Sequence, residues 1–298
     1  MPQTLDALDL VGHTCMIPDS PEHVWETSAA WIAGGLRAGE KVMYFEDGSI
    51  DRLMDRLEDD RIPVARAMAD GQFTVVPSEA SRAGWAVPVE EVGPAFTQAI
   101  RETAEQGWPG VRFIAEPSRA RLGYGLDLMA SHEALIDGIL LRNPQARLLC
   151  IYDRETFDDE AIAEMRRVHR TELVVSPMFD DGLLRITRPE PGTYRLAGEI
   201  DHSNSGVLRQ LLDRCLEDML RAATAPDDVT LDLSSIRFID VHASTELLRS
   251  SNEFPPGHNL VLLGTRPHVR SLIERRMHPS HGRLVLPPRW DQRLEAPA

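Results

Sequence analysis

Short apolar runs alternate with longer amphipathic stretches through the first half of the chain. The first amphipathic stretch begins at Ser20, whose hydroxyl can cap a helix, and Pro21 follows at the first helical position, where no N–H donor is needed. A second helix is expected near Ile50–Asp59, and "VEEVGPAFTQAIRETAEQG" predicts an amphipathic helix broken early by Gly93-Pro94. The apolar runs predict buried strands at "KVMYF" (Lys41–Phe45), "FTVVP" (Phe73–Pro77), "VRFIAEP" and "ARLLCIYD". This repeated alternation predicts an α/β layered sheet.

The order of elements changes in the second half of the chain. "LLRITRP" and "TYRLAGEI" are typical of two consecutive strands joined by a Pro/Gly turn, and helices alternate with strands after them, which gives the order ββαβαβα. Between the halves, "SPMFDDG" (Ser176–Gly182) has turn-forming residues and little periodicity. We therefore predict two domains, at residues 1–177 and 183–290.

Composition narrows the class of protein. A length of 298 residues suits two domains, and the net charge of -15 argues against direct nucleic-acid binding, which needs a clustered basic surface. The chain has three cysteines, an odd number, and they lie far apart in the sequence: Cys15, Cys150 and Cys215. This favours a reducing cytoplasm over a disulfide framework. The N-terminus lacks the basic region of a signal peptide, and no apolar run approaches the length of a membrane span. The sequence therefore predicts a cytoplasmic protein with no membrane partner.

Two stretches of the second half, "LAGEIDHSNSGVLRQLL" and "VTLDLSSIRFIDVHASTELL", carry a resemblance to a known family. The segment from Leu183 to Pro288 resembles the STAS family (sulfate transporter and anti-sigma factor antagonist). The first stretch is similar to the family's strand, loop and helix, and the second to its strand, turn and phosphorylation loop. The resemblance implies a STAS-like ββαβαβα domain whose partner is an anti-sigma factor or its kinase, or another STAS-type regulatory protein.

The phosphorylation loop departs from the family pattern at one position. In the STAS pattern the serine that accepts phosphate directly follows the aspartate, whereas Val241 follows Asp240 here. Valine has no hydroxyl, so a phosphoryl group cannot be transferred to it. Ser244 and Thr245 are close by, but the resemblance places both on the packing surface of the following helix, which argues against either as a substitute.

Three stretches of the first half carry a second resemblance: "GHTCMIPDSPEHVWETSAAWIAGGLRAGEKVMYFED", "GVRFIAEPSRA" and "LLCIYDRETFDDEAIAEMRRVH". The segment from Leu10 to Val175 resembles the MEDS family of methanogen/methylotroph sensory domains. This resemblance implies a RecA-like α/β domain that lacks a phosphate loop and senses a small molecule. The sequence agrees with the absence of a phosphate loop, since it contains no G-x-x-x-x-G-K-[ST] motif.

The first half offers candidates for a sensory pocket, namely His13, Cys15, Glu116, Tyr152 and Asp153. A metal site at His13 and Cys15 would need a third and a fourth ligand, and no CxxC or HxxxH pair supplies them, so we favour a partly buried histidine and a small apolar cysteine. Glu116 and Asp153 follow strands and are expected at the carboxyl edge of the sheet, where α/β proteins bind ligands. A structural salt bridge is the alternative for Glu116, and a buried pair with Arg154 is the favoured role of Asp153. No metal or other cofactor is predicted.

The partner-binding surface is predicted on two loops of the second half. Its candidate residues are Asp201, Ser203, Asn204, Asp240, Val241 and His242. Ser203 or Asn204 can cap the helix that follows, and Asp240 can cap the helix that starts near His242. Capping and binding are compatible, because a cap fixes the loop that a partner contacts.

These observations together predict a non-enzymatic signalling regulator of the anti-sigma factor antagonist type. The first half is expected to sense a small molecule or a partner and to control binding by the second half, in place of phosphorylation at position 241. Two alternatives remain at this point. One is a nucleotide-dependent or hydrolytic enzyme activity in the first domain, and the other is a non-catalytic STAS scaffold that forms a homo-oligomer.

Overall fold

The computed structural model describes residues 12–46, 50–60, 62–116, 125–174, 177–221, 228–277 and 283–287. The described residues form two compact units that divide after Val174. This division falls just before the segment predicted as the domain boundary, whose first residue, Ser176, lies outside the described residues. Among the residues that the structure describes, no helix is both long enough and apolar enough to span a bilayer.

The first unit is built on a six-stranded parallel sheet with the strand order β3-β2-β4-β5-β1-β6. Its strands are β1 (His13–Met16), β2 (Lys41–Phe45), β3 (Phe73–Val76), β4 (Val111–Ala115), β5 (Ala146–Ile151) and β6 (Thr171–Glu172). Its helices are α1 (Pro21–Arg37), α2 (Ile50–Asp59), α3 (Val64–Ala69), α4 (Ser78–Trp85), α5 (Val89–Glu105), α6 (Leu126–Leu141) and α7 (Asp159–Val168). Parallel strands that are covered on both faces are expected to be mostly apolar. Every residue of β1 and β4 is buried, and these include the polar residues His13, Thr14 and Arg112.

The sequence predicts several boundaries of these elements correctly. Ser20 caps α1 by accepting a hydrogen bond from the His23 backbone N–H, and α2 covers the predicted range Ile50–Asp59. The expected break at Gly93-Pro94 is wrong, because α5 runs through both residues. Proline removes a single backbone donor there, while Gly93 allows α5 to approach α6 so closely that an added Cβ would lie 3.2 Å from Leu135 Cδ2. Packing between the two helices thus outweighs the local cost of the proline.

The second unit is a mixed six-stranded sheet with the order β12-β11-β10-β9-β8-β7. Its strands are β7 (Phe179–Asp180), β8 (Leu184–Glu190), β9 (Thr193–Ile200), β10 (Asp228–Ile239), β11 (Asn259–Leu263) and β12 (Leu284–Val285), and its helices are α8 (Ser205–Arg221), α9 (Val241–Glu253) and α10 (Pro267–Glu274). The predicted hairpin is the antiparallel pair β8–β9, and β9, β10, β11 and β12 run parallel. The α/β fold class and the ββαβαβα order of the second domain are therefore confirmed.

The backbone of β9 requires a glycine at position 198. Its φ is +102°, and an added Cβ would lie 2.0 Å from the Leu183 carbonyl oxygen of the neighbouring chain segment. The same carbonyl accepts a hydrogen bond of 2.9 Å from the Glu199 backbone N–H. Only glycine permits this approach, because any side chain would collide with the backbone of the hairpin.

Candidate functional site

Four side chains with electron-donor atoms meet in the core of the first unit: His13, Glu133, Cys150 and His169. One donor atom from each can be chosen so that all four lie within 4.8 Å of one another. Glu133 Oε2 is 3.2 Å from His13 Nε2 and 3.9 Å from His169 Nε2, and the side chains of these three residues have no exposed surface. Cys150 Sγ lies 3.5 Å from His13 Nε2 and 3.7 Å from Glu133 Oε2. We call these four residues the buried donor cluster.

Parallel pairing of distant strands brings the cluster together. In the register of β1 and β5, His13 lies opposite Leu148 and Cys15 opposite Cys150. Because alternate residues of a strand face the same side of a sheet, His13 and Cys150 project toward the same layer of helices. Glu133 comes from α6 in that layer. His169 follows the last residue of α7 and stacks beside His13, with the two ring centroids 4.0 Å apart.

The helix end fixes the protonation of His169. Its Nδ1 lies 2.7 Å from the Met165 carbonyl oxygen, which can only accept, so Nδ1 carries the proton and Nε2 presents a lone pair. Burial, and after it the neighbouring His13, lowers the pKa of His169 from 6.5 to about 4, so the neutral ring is the form present at neutral pH. Among the described residues, His169 Nε2 is buried and has no hydrogen-bond partner.

The structure places the five predicted pocket residues in different surroundings. His13 belongs to the buried donor cluster, and the Tyr152 ring packs edge-on against His169 at a centroid distance of 5.6 Å. Cys15 is fully buried two residues along β1 from His13, and burial together with the charge of Glu172 raises its thiol pKa to about 12, so it remains a thiol. The preference for a buried histidine and an apolar cysteine therefore describes Cys15 well, whereas His13 has polar neighbours that the sequence did not reveal.

The other two predicted pocket residues follow neighbouring strands, Glu116 after β4 and Asp153 shortly after β5. Glu116 Oε1 accepts hydrogen bonds from Tyr44 at 3.0 Å and from Ser28 at 3.4 Å, which gives it a structural contact to α1 and β2. Asp153 does not form the expected buried pair with Arg154. Its carboxylate accepts a bond of 2.9 Å from the Glu155 backbone N–H in a turn, while Arg154 faces Asp159, whose side chain is fully exposed, at 3.3 Å.

Sequence analysis missed Glu133, Cys150 and His169 as members of a site. Two signals pointed toward them: a carboxylate inside the largely apolar stretch "MASHEALIDGILL", and a histidine at the end of a capped helix. Neither signal is specific without the strand order. A thiol, a carboxylate and two imidazoles are donors that together suit a transition metal, and the cluster is the place in the described part of the chain where such donors converge.

The first predicted loop of the second unit is held by its own side chains. Asp201 Oδ1 accepts from the backbone N–H and the hydroxyl of Ser203, at 2.8 and 2.5 Å, and these two bonds lower the pKa of the Asp201 carboxyl. Asn204 is buried and bonds backward, accepting from the Asp201 backbone N–H at 3.0 Å and donating to the Glu199 carbonyl at 3.1 Å. The bonds described for Ser203 and Asn204 thus stabilise the loop, in place of the helix cap expected from the sequence.

The second predicted loop begins a helix as expected. The Asp240 carboxylate caps α9 by accepting from the Ala243 backbone N–H at 2.7 Å, and the Asp240 backbone N–H donates to the Ile200 carbonyl at 3.0 Å. The second bond places the two loops side by side. Val241 and His242, at the start of α9, are exposed, and the side chain of Val241 has 55% of its surface accessible.

The hydroxyls nearest to Val241 differ in exposure. Ser244 is fully buried and Thr245 is exposed, and both side chains donate to the Val241 carbonyl at 2.8 Å. The prediction that both face the packing surface is therefore right for Ser244 and wrong for Thr245. The difference follows from helical geometry, because successive residues project about 100° apart around a helix.

Comparison with known proteins matches each half of the chain to a described family. The family described as the MEthanogen/methylotroph, DcmR Sensory (MEDS) domain matches residues 12–170, and the STAS domain family matches residues 185–277. Both families and their order are those expected from the sequence. No match was found among the curated proteins.

Two solved structures illustrate the level of overall similarity. The flagellar accessory protein FlaH from Methanocaldococcus jannaschii is 10% identical, with 62% of this chain and 77% of that chain covered and a TM-score of 0.40. An anti-sigma factor antagonist from Mycobacterium paratuberculosis is 20% identical, with 41% of this chain and 90% of that chain covered and a TM-score of 0.27.

Proposed function

The chain belongs to the MEDS sensory-domain family and carries a STAS domain behind the sensory domain, and from this premise we propose that it is a signalling regulator of the anti-sigma factor antagonist type. The first half senses a small molecule or a partner. The second half binds a regulatory protein, an anti-sigma factor or its kinase or another STAS-type protein, in the cytoplasm. Binding is not controlled by phosphorylation at position 241.

The observation that carries this proposal is the exposed Val241 on an otherwise intact loop. Asp240 caps α9 and bonds to the neighbouring loop at Ile200, so the shape of the surface does not depend on the residue that follows. Val241 and Phe238 are exposed by 55% and 47%, and they place apolar side chains at this end of the sheet. An exposed apolar patch beside polar loops suits a protein partner, and a phosphate group cannot be added at Val241 to disrupt it.

The proposal also holds that the protein does not catalyse a nucleotide-dependent reaction. The loop between β1 and α1 is Ile17-Pro18-Asp19-Ser20, and Pro21 follows as the first residue of α1. A phosphate-binding loop at this place uses glycines, a lysine and free backbone N–H groups at a helix start. Here Pro18 and Pro21 each lack an N–H, and Asp19 brings a negative charge that would repel a phosphate.

Calorimetric titration of the full chain against purified anti-sigma factors and STAS proteins of the same organism tests the proposal. We expect wild type to bind at least one of them, and Val241→Asp, which imitates a phosphorylated loop, to weaken that binding by at least about tenfold, or 1.4 kcal/mol. Val241→Ser is expected to bind like wild type and, unlike wild type, to accept phosphate from an anti-sigma kinase and ATP.

The matched control is Val174→Asp, which makes the same chemical change at an exposed valine of the first unit and is expected to leave binding unchanged. Phosphate on Ser244 or Thr245 of wild type, together with loss of partner binding, would contradict the proposed mode of control. ATP turnover by the full chain would favour the enzyme alternative.

A further inference from the structure

We propose that His13, Glu133, Cys150 and His169 form a binding site for a divalent transition-metal ion, with Zn²⁺ the best fit to the donors and their spacing. This site goes beyond the proposed regulatory function, and it stands whether or not the second unit binds an anti-sigma factor.

The first argument is the distance between donor atoms. Zinc bonds to nitrogen, oxygen and sulfur are about 2.0–2.3 Å long, so neighbouring donors around a tetrahedral ion are about 3.3–3.8 Å apart. The separations in the cluster are 3.2, 3.5, 3.7 and 3.9 Å for His13–Glu133, His13–Cys150, Cys150–Glu133 and His169–Glu133. These four separations are within about 0.1 Å of the tetrahedral range, and all four donor atoms lie within 4.8 Å of one another, so small shifts of the side chains would bring them around one ion.

The second argument is electrical neutrality. The Glu133 side chain has no exposed surface, and a metal ion bound there would balance the negative charge of its carboxylate. A divalent cation bound by the Glu133 carboxylate, the Cys150 thiolate and two neutral imidazoles has no net charge. Binding forms four metal–ligand bonds and breaks the S–H bond of Cys150, whose proton leaves to solvent, and no group is oxidised or reduced.

The third argument is the orientation of His169. A histidine that binds a metal through one ring nitrogen almost always donates its other N–H to a carbonyl, a carboxylate or a water. The Nδ1–H of His169 donates to the Met165 carbonyl at 2.7 Å, which turns Nε2 toward Glu133. Nε2 is buried and has no hydrogen-bond partner among the described residues, so a lone pair points into the cluster.

The donors come from β1, α6, β5 and the residue after α7, so an ion would connect the sheet to two covering helices. Four protein ligands complete a tetrahedral shell, which is typical of structural zinc sites rather than of catalytic sites that keep one position for water. We therefore expect the ion to set the stability of the first unit. We do not expect it to activate a water molecule.

Metal analysis and Co²⁺ substitution of the full chain test this site. The chain is treated with a chelator, dialysed and titrated with Zn²⁺ or Co²⁺. We expect stoichiometric binding, a rise in melting temperature, and for Co²⁺ the intense visible bands of tetrahedral coordination with a thiolate-to-cobalt charge-transfer band in the near ultraviolet. Loss of one of four ligands should weaken binding by at least about 100-fold.

Cys150→Ser and Cys15→Ser form a matched pair, since both cysteines are fully buried and lie opposite each other in the β1–β5 register. Cys150→Ser should lose the charge-transfer band, and Cys15→Ser should keep it. His169→Gln provides a second variant in case Cys150→Ser does not fold, and circular dichroism checks the fold of each. Failure of the folded wild-type chain to bind Zn²⁺ or Co²⁺, or a charge-transfer band that survives in Cys150→Ser, would overturn the assignment.

Discussion

The candidate sites of the two units lie at different depths. In the first unit, two imidazoles, a carboxylate and a thiol lie beneath the helices that cover a parallel sheet, and their side chains have little or no exposed surface. The second unit also buries polar groups, such as the Arg185 side chain paired with Asp180, but its proposed binding residues include the exposed Ser203, Val241 and His242. This difference in depth agrees with the proposals that the first unit binds an ion and that the second unit binds a protein.

The strongest test of this contrast removes a buried charge from the first unit. Glu40 accepts from Arg112 Nε at 2.5 Å and from Arg147 at 2.9 Å, and the Arg112 side chain is only 7% exposed. Glu40→Gln should lower the free energy of unfolding by about 3–5 kcal/mol, because it removes the negative charge that both guanidinium groups contact in a largely buried site. Tryptophan fluorescence during urea unfolding reports on this unit, since four of the five tryptophans precede Val174 and Arg112 lies over the Trp31 ring at 5.0 Å.

The control for this substitution is an exposed ion pair of the same unit. Asp70 faces Arg66 at 3.4 Å, with 57% and 89% of their side chains exposed. Asp70→Asn should change the free energy of unfolding by no more than about 1 kcal/mol, because water already solvates both charges. Equal effects of the two substitutions would remove the distinction between buried and exposed polar groups.

A smaller effect is expected at the docking loop of the second unit. Asp240→Ala removes the acceptor for the Ala243 N–H and should cost about 0.5–2 kcal/mol of stability, whereas Asp240→Asn keeps an acceptor and should cost less. Hydrogen-exchange mass spectrometry of peptides from α9 measures this unit directly. Faster exchange at the start of α9 in Asp240→Ala, with little change in Asp240→Asn, is the expected pattern. Identical exchange rates at the start of α9 in both variants would mean that the Asp240 cap does not stabilise this helix start.

The smallest expected effect is a titration at the neighbouring loop. The bonds from Ser203 lower the pKa of Asp201 below its ordinary value of 3.8, so this turn is stabilised above the unfolded pKa and loses that stabilisation as pH falls through the folded pKa. Ser203→Ala removes the hydroxyl bond, and the Asp201 pKa should rise toward its ordinary value. Carbon-13 NMR of the carboxyl group measures the shift. Ser205→Ala, whose hydroxyl bonds to the His202 carbonyl instead, should leave the Asp201 pKa unchanged.

Local features of this fold could be predicted from the sequence, and non-local ones could not. The caps at Ser20 and Asp240 were predicted because a cap depends only on the next few residues. The continuity of α5 through Pro94 was missed because it depends on packing against α6, which the local sequence does not encode. The wrong prediction for Thr245 has a different cause, because helical geometry alone separates Ser244 and Thr245 by about 100° around the helix axis, and only Ser244 is buried.

The buried donor cluster is the clearest case of a site that local pattern cannot reveal. His13 is a candidate in the sequence, whereas Cys150 enters only as one of three widely separated cysteines. Their contact depends on the pairing of β1 with β5, and three other strands lie between these two in the sequence. Metal-site motifs in sequences rely on ligands a few residues apart, and this cluster has no such pair. Glu133 is buried because its face of α6 packs toward the sheet, and the sequence pattern around it does not indicate this contact.

The position of β1 in the sheet also constrains how the chain reaches its native state. This strand is synthesised first, but it pairs with β5 and β6, in registers that join Thr14 to Leu149 and to Thr171. Contacts between residues so far apart in sequence form slowly, because the long intervening segment loses conformational entropy before the strand pairing compensates for that loss. During translation, β1 must therefore wait until nearly the whole first unit has left the ribosome. A truncated product that ends before β5 would leave β1 without either of its native neighbours, with residues exposed that the native sheet buries.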